Sequence, residues 1–533
     1  MNIRKHILIL LLSSLMIAPS YAQNSRTGRI EESLVIFNDV LRQLDMNYVD
    51  TLDYETITET AINQALHKVD PYTVYYPKKK DDDLRMLTTG KYGGIGAIIQ
   101  QRDKKIIIAN PYEGKPAQLN DVLAGDILLS VDGTSTKDKQ VSDVSSLLRG
   151  EPGSIVKLEL ERDGQTITRE FTREDIHMEP VDYYTVLPLD SSNNKQIGYI
   201  SFREFTNGSA DDFKEALSEL VATHHIEGLV FDLRSNGGGI IEEAIRIVNN
   251  FVGKGVEVVS TKGKIRTANN SYVTTAEPTY LDLPLVILVD KNSASASEIV
   301  SGSLQDFKRA TLIGQRTFGK GLVQNLRPIA YGGHLKVTTS KYYLPSGRCI
   351  QAIDYTEMQR GHKLTKDTAG GILPDIVIND SAKVDITYTL YTKGLFFDYS
   401  VKFRREHDSI ALPSEFIVTD EMIEDFYKFL ENKKFTYETE TSKYFHDMLE
   451  MAKMEDLDST TLAQLKAIEP QLKPSFQTAI QRNLDEVKEY LGAEIIERYY
   501  FQKGRSAYMV RFDKELKRAI EVLSSNADSH THN

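Results

Sequence analysis

The 533-residue chain has a single cysteine, Cys349, which excludes an intrachain disulfide framework. That thiol also lies far from the N-terminus, where a lipid anchor would need one. There is no His-Glu-x-x-His, no Cys-x-x-Cys and no carboxylate cluster at metal-ligand spacing, so a metalloenzyme is not expected. A Gly-x-Ser-x-Gly elbow is missing too. His224 and His225 close a helical pattern in polar company and read as a solvated pair, which leaves a histidine-based triad without a candidate. After the N-terminus, no stretch reaches the roughly 18 unbroken apolar residues of a spanning helix. Nor is there a basic stripe: the formal net charge is −12, the wrong sign for general nucleic-acid binding.

What is present is globular: 41% hydrophobic and 26% charged residues, in a chain long enough for roughly three or four domains. Arg4, Lys5 and His6 precede an apolar run, Ile7 to Ile17, and Ala18-Pro-Ser-Tyr-Ala22 ends in a small-x-Ala cleavage pattern. The expectation is a signal peptide over 1–22 and an exported, periplasmic or secreted protein that needs no membrane association after cleavage. The alternative is an uncleaved anchor.

The chemistry concentrates between Leu285 and Gln324. Leu285 to Val289 has the length and β-branching of a buried strand, and Ser293-Ala-Ser-Ala-Ser297 is a small-residue turn. A helix is predicted from about Ala296 to Phe307, with Ser295 and Glu298 spaced as a capping box. Thr317-Phe-Gly-Lys-Gly321 follows, with Gln324 beyond it. A serine hydroxyl needs an adjacent base, and a partly buried lysine can act as one because burial disfavours its ammonium form. Lys320 lies between two glycines that permit close backbone approach, and in an extended segment 320, 322 and 324 share a face, so Gln324 could orient the amine. Amides at the start of the helix are ready to bind an oxyanion. The bland alternative makes Ser295 an N-cap and Lys320 a surface turn. A sharper rival is a P-loop at Gly314-x-x-x-x-Gly319-Lys320, but Gly321 stands where its metal-binding hydroxyl should be, and the next residues read as extended.

The run Ser293-Ala-Ser-Ala-Ser-Glu-Ile299, the pair Gln305-Asp306 and the Thr317-Phe-Gly-Lys-Gly-x-x-Gln324 motif closely resemble the carboxyl-terminal processing (tail-specific) proteases, the S41 serine endopeptidases. The resemblance implies Ser295 as nucleophile, Lys320 as general base, Gln324 orienting the lysine and Asp306 in a supporting role. Asp232-x-Arg-x-Asn-Gly-Gly-Gly239 matches the family loop that supplies one oxyanion donor, carried here to Gly238, with Gly239 as the one-residue alternative; Ala296 would supply the second. Asp70-Pro-Tyr-Thr73, Thr338 to Arg348 and Gly371 to Asp375 extend the likeness over roughly 70–380.

Residues 90–172 read as a β-rich domain. Gly93-Gly-Ile-Gly96 opens it, strands are expected at 97–99, 105–109, 127–131, 156–161 and 165–171, and a helix at 141–148. This order resembles a PDZ domain, which adds a peptide to a sheet edge and holds its terminal carboxylate on backbone N–H groups, here those of Gly94, Ile95 and Gly96. The implied fold is α/β multidomain: a helical region at 23–89, the PDZ domain at 90–172, an α/β protease core of the ClpP/crotonase-like kind at 173–380, and a mostly helical domain at 381–533 that serves packing or dimerisation. The expected activity is cleavage of proteins selected by free C-terminal tails, through a Ser–Lys dyad and without a cofactor, with a homo-oligomer or adaptor partner left open. The rivals are a PDZ-bearing peptide-binding scaffold with a resting or partner-gated core, and a P-loop-like nucleotide hydrolase.

Overall fold

The computed structural model describes residues 26–187, 195–355, 370–378 and 385–525. The proposed signal segment lies outside them. The chain divides into two compact units, Met1–Tyr75 and Tyr76–Asn533. In the first, helices span Arg26–Asn47 and Tyr54–His67, where periodicity places them. Asp53 caps the second through the Glu55 and Thr56 amides. Leu34, Phe37 and Val40, an apolar stripe in the sequence, are exposed. Asp70 is buried and accepts from the Tyr72 and Thr73 amides, so Asp70-Pro-Tyr-Thr73 is a side-chain-stabilised turn.

The second unit is built on a six-stranded sheet in the order Val181–Val186, Ile197–Phe202, Gly228–Asp232, Leu285–Val289, Thr311–Gly314, Ile376–Val377. The first strand is antiparallel to its neighbour and the rest are parallel. Parallel strands are covered on both faces, which explains the unbroken apolar runs at 228–231 and 285–289. Helices Ser209–His224, Ile241–Val248 and Ala296–Asp306 bury Phe213, Leu217, Ile247, Val248, Ile299 and Val300 in the core on one face. The other face is closed by the last helix, Lys514–Ser525, whose Leu516, Ala519 and Leu523 pack with Tyr199, Val230, Val286, Leu288 and Ile313. The α/β core is thereby completed from the far end of the chain. A second sheet pairs His334–Tyr343 with both Glu257–Gly263 and Leu322–Pro328.

The β-rich domain forms as its sequence suggests. Strands Ala97–Arg102, Lys105–Pro111, Ile127–Val131, Ile155–Arg162 and Gln165–Thr172 make one antiparallel sheet, with the helix at Val141–Leu148. Ile106, Ile108, Leu128, Val144, Val156 and Leu158 fill its core. It is tied to the C-terminal helices by Arg102–Asp398 at 2.6 Å and by Arg498 donating to the Ala109 carbonyl at 2.8 Å.

Two expectations need correction. The Ser209-x-x-Asp212 spacing suggests a cap at Ser209, but Gly208 holds the cap position at φ +90°, and Glu243 from a neighbouring helix accepts the Ala210 amide at 2.8 Å. The sequence from Leu462 to Arg498 has one continuous helical pattern, but it forms three helices, Ser459–Leu472, Phe476–Arg482 and Leu484–Met509, and the first break comes at Lys473-Pro474. A proline removes the N–H that would continue the helix and restrains the residue before it.

Phe231 is fully buried against Phe202 and Phe213, with ring centroids 5.7 and 4.6 Å away. Phe231→Ala should cost about 3–5 kcal/mol, read as a lower urea midpoint with an unchanged slope.

Candidate active site

Two strand–loop units meet at the carboxyl ends of the parallel sheet, where such sheets place their sites. After Gly228–Asp232 comes the loop Arg234–Gly239, and after Leu285–Val289 comes the turn ending at Ser295. Ser293 donates its hydroxyl to the Leu233 carbonyl, and the Asn236 carbonyl accepts the Ala294 amide and the Ser297 hydroxyl. The two loops are therefore one hydrogen-bonded body. Ser295 sits at the N-cap of Ala296–Asp306 with φ 56°, ψ −113°, a conformation that costs a non-glycine residue on the order of 1–3 kcal/mol and persists only where its surroundings enforce it.

Glu298 enforces it. This carboxylate is fully buried, and each of its oxygens takes two donors. Oε2 accepts the amides of both Ser295 and Lys320, each at 2.9 Å. Oε1 accepts the Thr317 hydroxyl at 2.5 Å and the Gly319 amide at 2.8 Å. Burial pushes the Glu298 carboxyl above its usual range, and the four donors pull it back down in part. From the other side, the Tyr342 hydroxyl lies 2.7 Å from the Lys320 carbonyl and 3.1 Å from that of Ser295. Burial first, and the Glu298 charge second, push Tyr342 far above the ordinary tyrosine range, which keeps it a donor. The backbones of Ser295 and Lys320 are thus held through both N–H and C=O by one carboxylate and one phenol.

The glycines flanking Lys320 are needed for close approach. A Cβ on Gly319 would lie 2.5 Å from that of Ala352, and one on Gly321 2.8 Å from the Gln351 amide nitrogen. Beyond them the chain enters the strand Leu322–Pro328 and not a helix, so Gly314–Lys320 does not form the loop-to-helix phosphate cradle of a P-loop. The pairing register slips between Val323 and Gln324, where the partner strand His334–Tyr343 carries one extra residue, Thr339. Gln324 Nε2 lies 3.2 Å from the Thr338 hydroxyl.

Ser295, Lys320, Gln324, Gly238 and Gly239 line one cleft of about 500 Å³. Its other walls include Leu84 and Leu87 from helix Asp81–Thr89, together with Ile240 and Ile241. Gly238 lies against the serine: a Cβ there would stand 2.7 Å from that of Ser295 and 2.8 Å from the Ala296 nitrogen. Its own amide, however, donates to the Asn236 side-chain carbonyl at 2.8 Å and is not presented to the cleft in this conformation. Asn236 is fixed in that orientation because its NH2 donates to the Phe202 carbonyl. Asp306 is not brought to the cleft. At the far end of the serine helix, it accepts the Ser346 amide and pairs with Arg348 at 2.8 Å.

In the β-rich domain, Gly94, Ile95 and Gly96 form a buried segment. The Ile95 and Gly96 carbonyls accept from Ala117 and Tyr112, and in a trans peptide the Gly96 N–H points opposite to the Ile95 carbonyl. Among the described residues, no group of three or more His, Cys, Asp or Glu is placed to hold a metal ion, and no helix is long and apolar enough to cross a membrane.

Comparison with known proteins settles the family. Residues 196–378 match the model of peptidase family S41, 107–162 a PDZ domain, and 386–523 a probable PDZ-protease C-terminal helical domain. A carboxy-terminal-processing protease of Bartonella bacilliformis is 32% identical over 371 residues, covering 69% of this chain and 79% of that protein. The chain belongs to peptidase family S41. It is a serine-type peptidase of the carboxyl-terminal-processing kind and carries a PDZ domain. A probable CtpA-like serine protease of Staphylococcus aureus is 32% identical over 321 residues, covering 58% of this chain and 61% of that protein. The solved photosystem II D1 C-terminal processing protease is 28% identical, with 67% of this chain and 88% of that chain covered and a TM-score of 0.39.

Sequence reasoning found Glu298 only as a helix cap and missed Tyr342 and Asn236 as parts of this S41 site. The capping spacing was the one available signal; the others act across 47 and 2 residues on backbone groups that no pattern displays.

Glu298→Gln turns one oxygen from an acceptor of two amides or hydroxyls into a donor, stranding buried donors at about 1–3 kcal/mol each. Proteolysis should fall at least about tenfold in an otherwise folded protein. The pH dependence follows from the raised carboxyl. The native state binds this proton more tightly than the unfolded chain, so acidification through this group does not itself destabilise the fold. It does replace an acceptor with an O–H beside the amides of Ser295 and Lys320. Activity should therefore decline at a pH above the ordinary glutamate range while circular dichroism still reports a folded protein; coincident loss of both would contradict this.

Proposed function

We propose that this S41 peptidase is an exported endopeptidase that cleaves proteins selected by their C-terminal tails, using Ser295 as nucleophile and Lys320 as general base. The observation that carries the reading is the single carboxylate oxygen of Glu298 that holds the amides of both residues at the same cleft. The neutral Lys320 amine takes the Ser295 proton as Oγ attacks the scissile carbonyl carbon. The tetrahedral oxyanion is held by the Ala296 amide and by an amide of the Gly238–Gly239 loop, a contribution of about 10²–10³ in rate per donor. Collapse expels the amine, which takes the proton back from the Lys320 ammonium and leaves an acyl-Ser295 ester. A water, deprotonated by Lys320, then attacks that ester; as the acyl C–O bond breaks, the Lys320 ammonium returns the proton to Ser295 Oγ and the new C-terminus is freed. Gln324 orients the amine, and Asp306 acts at a distance by fixing the far end of the serine helix. No group beyond these side chains and water enters the cycle.

The PDZ domain selects the tail, which extends the sheet along Ala97–Arg102 with its carboxylate on the Gly94–Gly96 amides. The partners are accordingly proteins and peptides with free C-termini. The segment 1–22 directs export, and the protein works in the periplasm or outside the cell.

A second reading, a protease core at rest until a partner or tail engages, has one observation in its favour: the Gly238 amide is occupied by Asn236. On this reading a tail peptide added in trans should raise the rate on a small unstructured substrate.

The decisive comparison sets wild type against Ser295→Ala and Lys320→Ala on an unfolded protein with an apolar C-terminus, with and without EDTA. Cleavage by wild type alone, indifferent to EDTA and rising with pH along a limb that reports Lys320, is expected. Cleavage by Ser295→Ala would sink the mechanism. Silence of the wild type, relieved by a tail peptide, would favour the resting core.

A further inference from the structure

The loop that carries Gly238 begins at Arg234, whose side chain points away from the cleft, to the other end of the chain. Its guanidinium is held by three carboxylates. Asp232, at the end of its own strand, takes Nε at 2.9 Å and one terminal nitrogen at 2.5 Å, and also accepts the Arg234 backbone amide at 2.9 Å. Asp513 accepts from the same terminal nitrogen at 2.6 Å, and Glu515 accepts from the other. All four side chains are at least three-quarters covered. Asp513 also caps the last helix through the Leu516 amide at 2.9 Å, and that helix is seated on the protease sheet by Leu516, Ala519 and Leu523.

We infer that Asp513 and Glu515 are positioning residues for the proteolytic reaction: through Arg234 they set the Arg234–Gly239 loop against the Ser295 turn, so the C-terminal helix is part of the active-site apparatus. This rests on the reading in which that loop and Ser295 form the reacting centre. Asp232 alone anchors only one edge of a planar fork that offers five donors. With Asp513 and Glu515 in place, the guanidinium is held at both terminal nitrogens from a separate element at the start of the last helix. The loop in turn bonds to the serine turn through the Asn236 carbonyl, and Gly238 abuts the Ser295 side chain. A displacement at Arg234 is therefore passed within four residues to the groups around the nucleophile. Displacements of about 1 Å at a reacting centre cost on the order of a hundredfold in rate.

The test is the double variant Asp513→Asn, Glu515→Gln in the full chain. Asparagine keeps the helix cap and glutamine keeps the volume, so the change is chiefly in charge. The expected result is a fall in kcat of about tenfold or more. KM, tail-peptide affinity and the cooperativity of unfolding should stay unchanged. Labelling of the serine by a fluorophosphonate should slow by the same factor. In an Arg234→Gln background the same pair of substitutions should cost little more, because both act through that side chain. Glu521→Gln, on the same helix but exposed and paired with Arg518, should leave kcat at the wild-type value. The inference is overturned if the double variant keeps wild-type kcat, if its loss merely tracks the folded fraction, or if its effect adds in full to that of Arg234→Gln. If Ser295→Ala is dead while the double variant is fully active, this inference fails and the dyad reading survives. If Ser295→Ala retains activity, the dyad reading itself has failed.

Discussion

A fully buried carboxylate is expensive unless its lone pairs are filled, and Glu298 has all of them filled by groups that matter to the site. Two donors come from the turn and the lysine segment at a shared oxygen, and two from the Thr317–Gly319 approach to that segment. The charge cannot be removed without stranding these donors, and the donors cannot be rearranged without stranding the charge. This mutual requirement keeps Ser295 at a positive φ that its side chain would otherwise resist, and it fixes Lys320 although no helix or sheet ladder includes that residue. Tyr342 repeats the arrangement on the carbonyl side with a neutral donor, so the clamp carries a single negative charge.

Around that clamp the fold supplies stiffness. The parallel strands at 228–232 and 285–289 are adjacent in register, so the loops that leave them start side by side and close onto each other through Ser293, Asn236 and Ser297. Glycine appears where backbones must nearly touch: Gly238 at the serine, and Gly319 and Gly321 beside the lysine. Apolar helices cover one face of the sheet and the C-terminal helix covers the other. The cleft thus draws on most of the chain between Asp81 and Ser525, although Ser295, Lys320 and Gln324 lie within about thirty residues.

Most of the architecture was legible because its signals are local. The strand at 285–289, the capping spacing of Ser295 and Glu298, and the turn-separated strands of the PDZ domain each lie within a few residues. The family motifs then tied Ser295 to Lys320 and Gln324. What was not legible is long-range or backbone-directed. Nothing in the sequence shows that Tyr342 reaches two carbonyls, that Asn236 occupies the Gly238 amide, or that Arg234 reaches Asp513 and Glu515 some 280 residues later. The Ser209 cap failed because a tertiary partner, Glu243, took over the task of a local one.

The central claim is that the strained, Glu298-clamped Ser295 is the nucleophile. Labelling the wild-type protein with a fluorophosphonate and mapping the adduct by peptide mass spectrometry tests it without assuming any substrate. The account predicts one adduct, on the peptide containing Ser295, which disappears on denaturation before labelling and is strongly reduced in Lys320→Ala. An adduct on another serine, or labelling of Ser295 that is indifferent to unfolding, would contradict it.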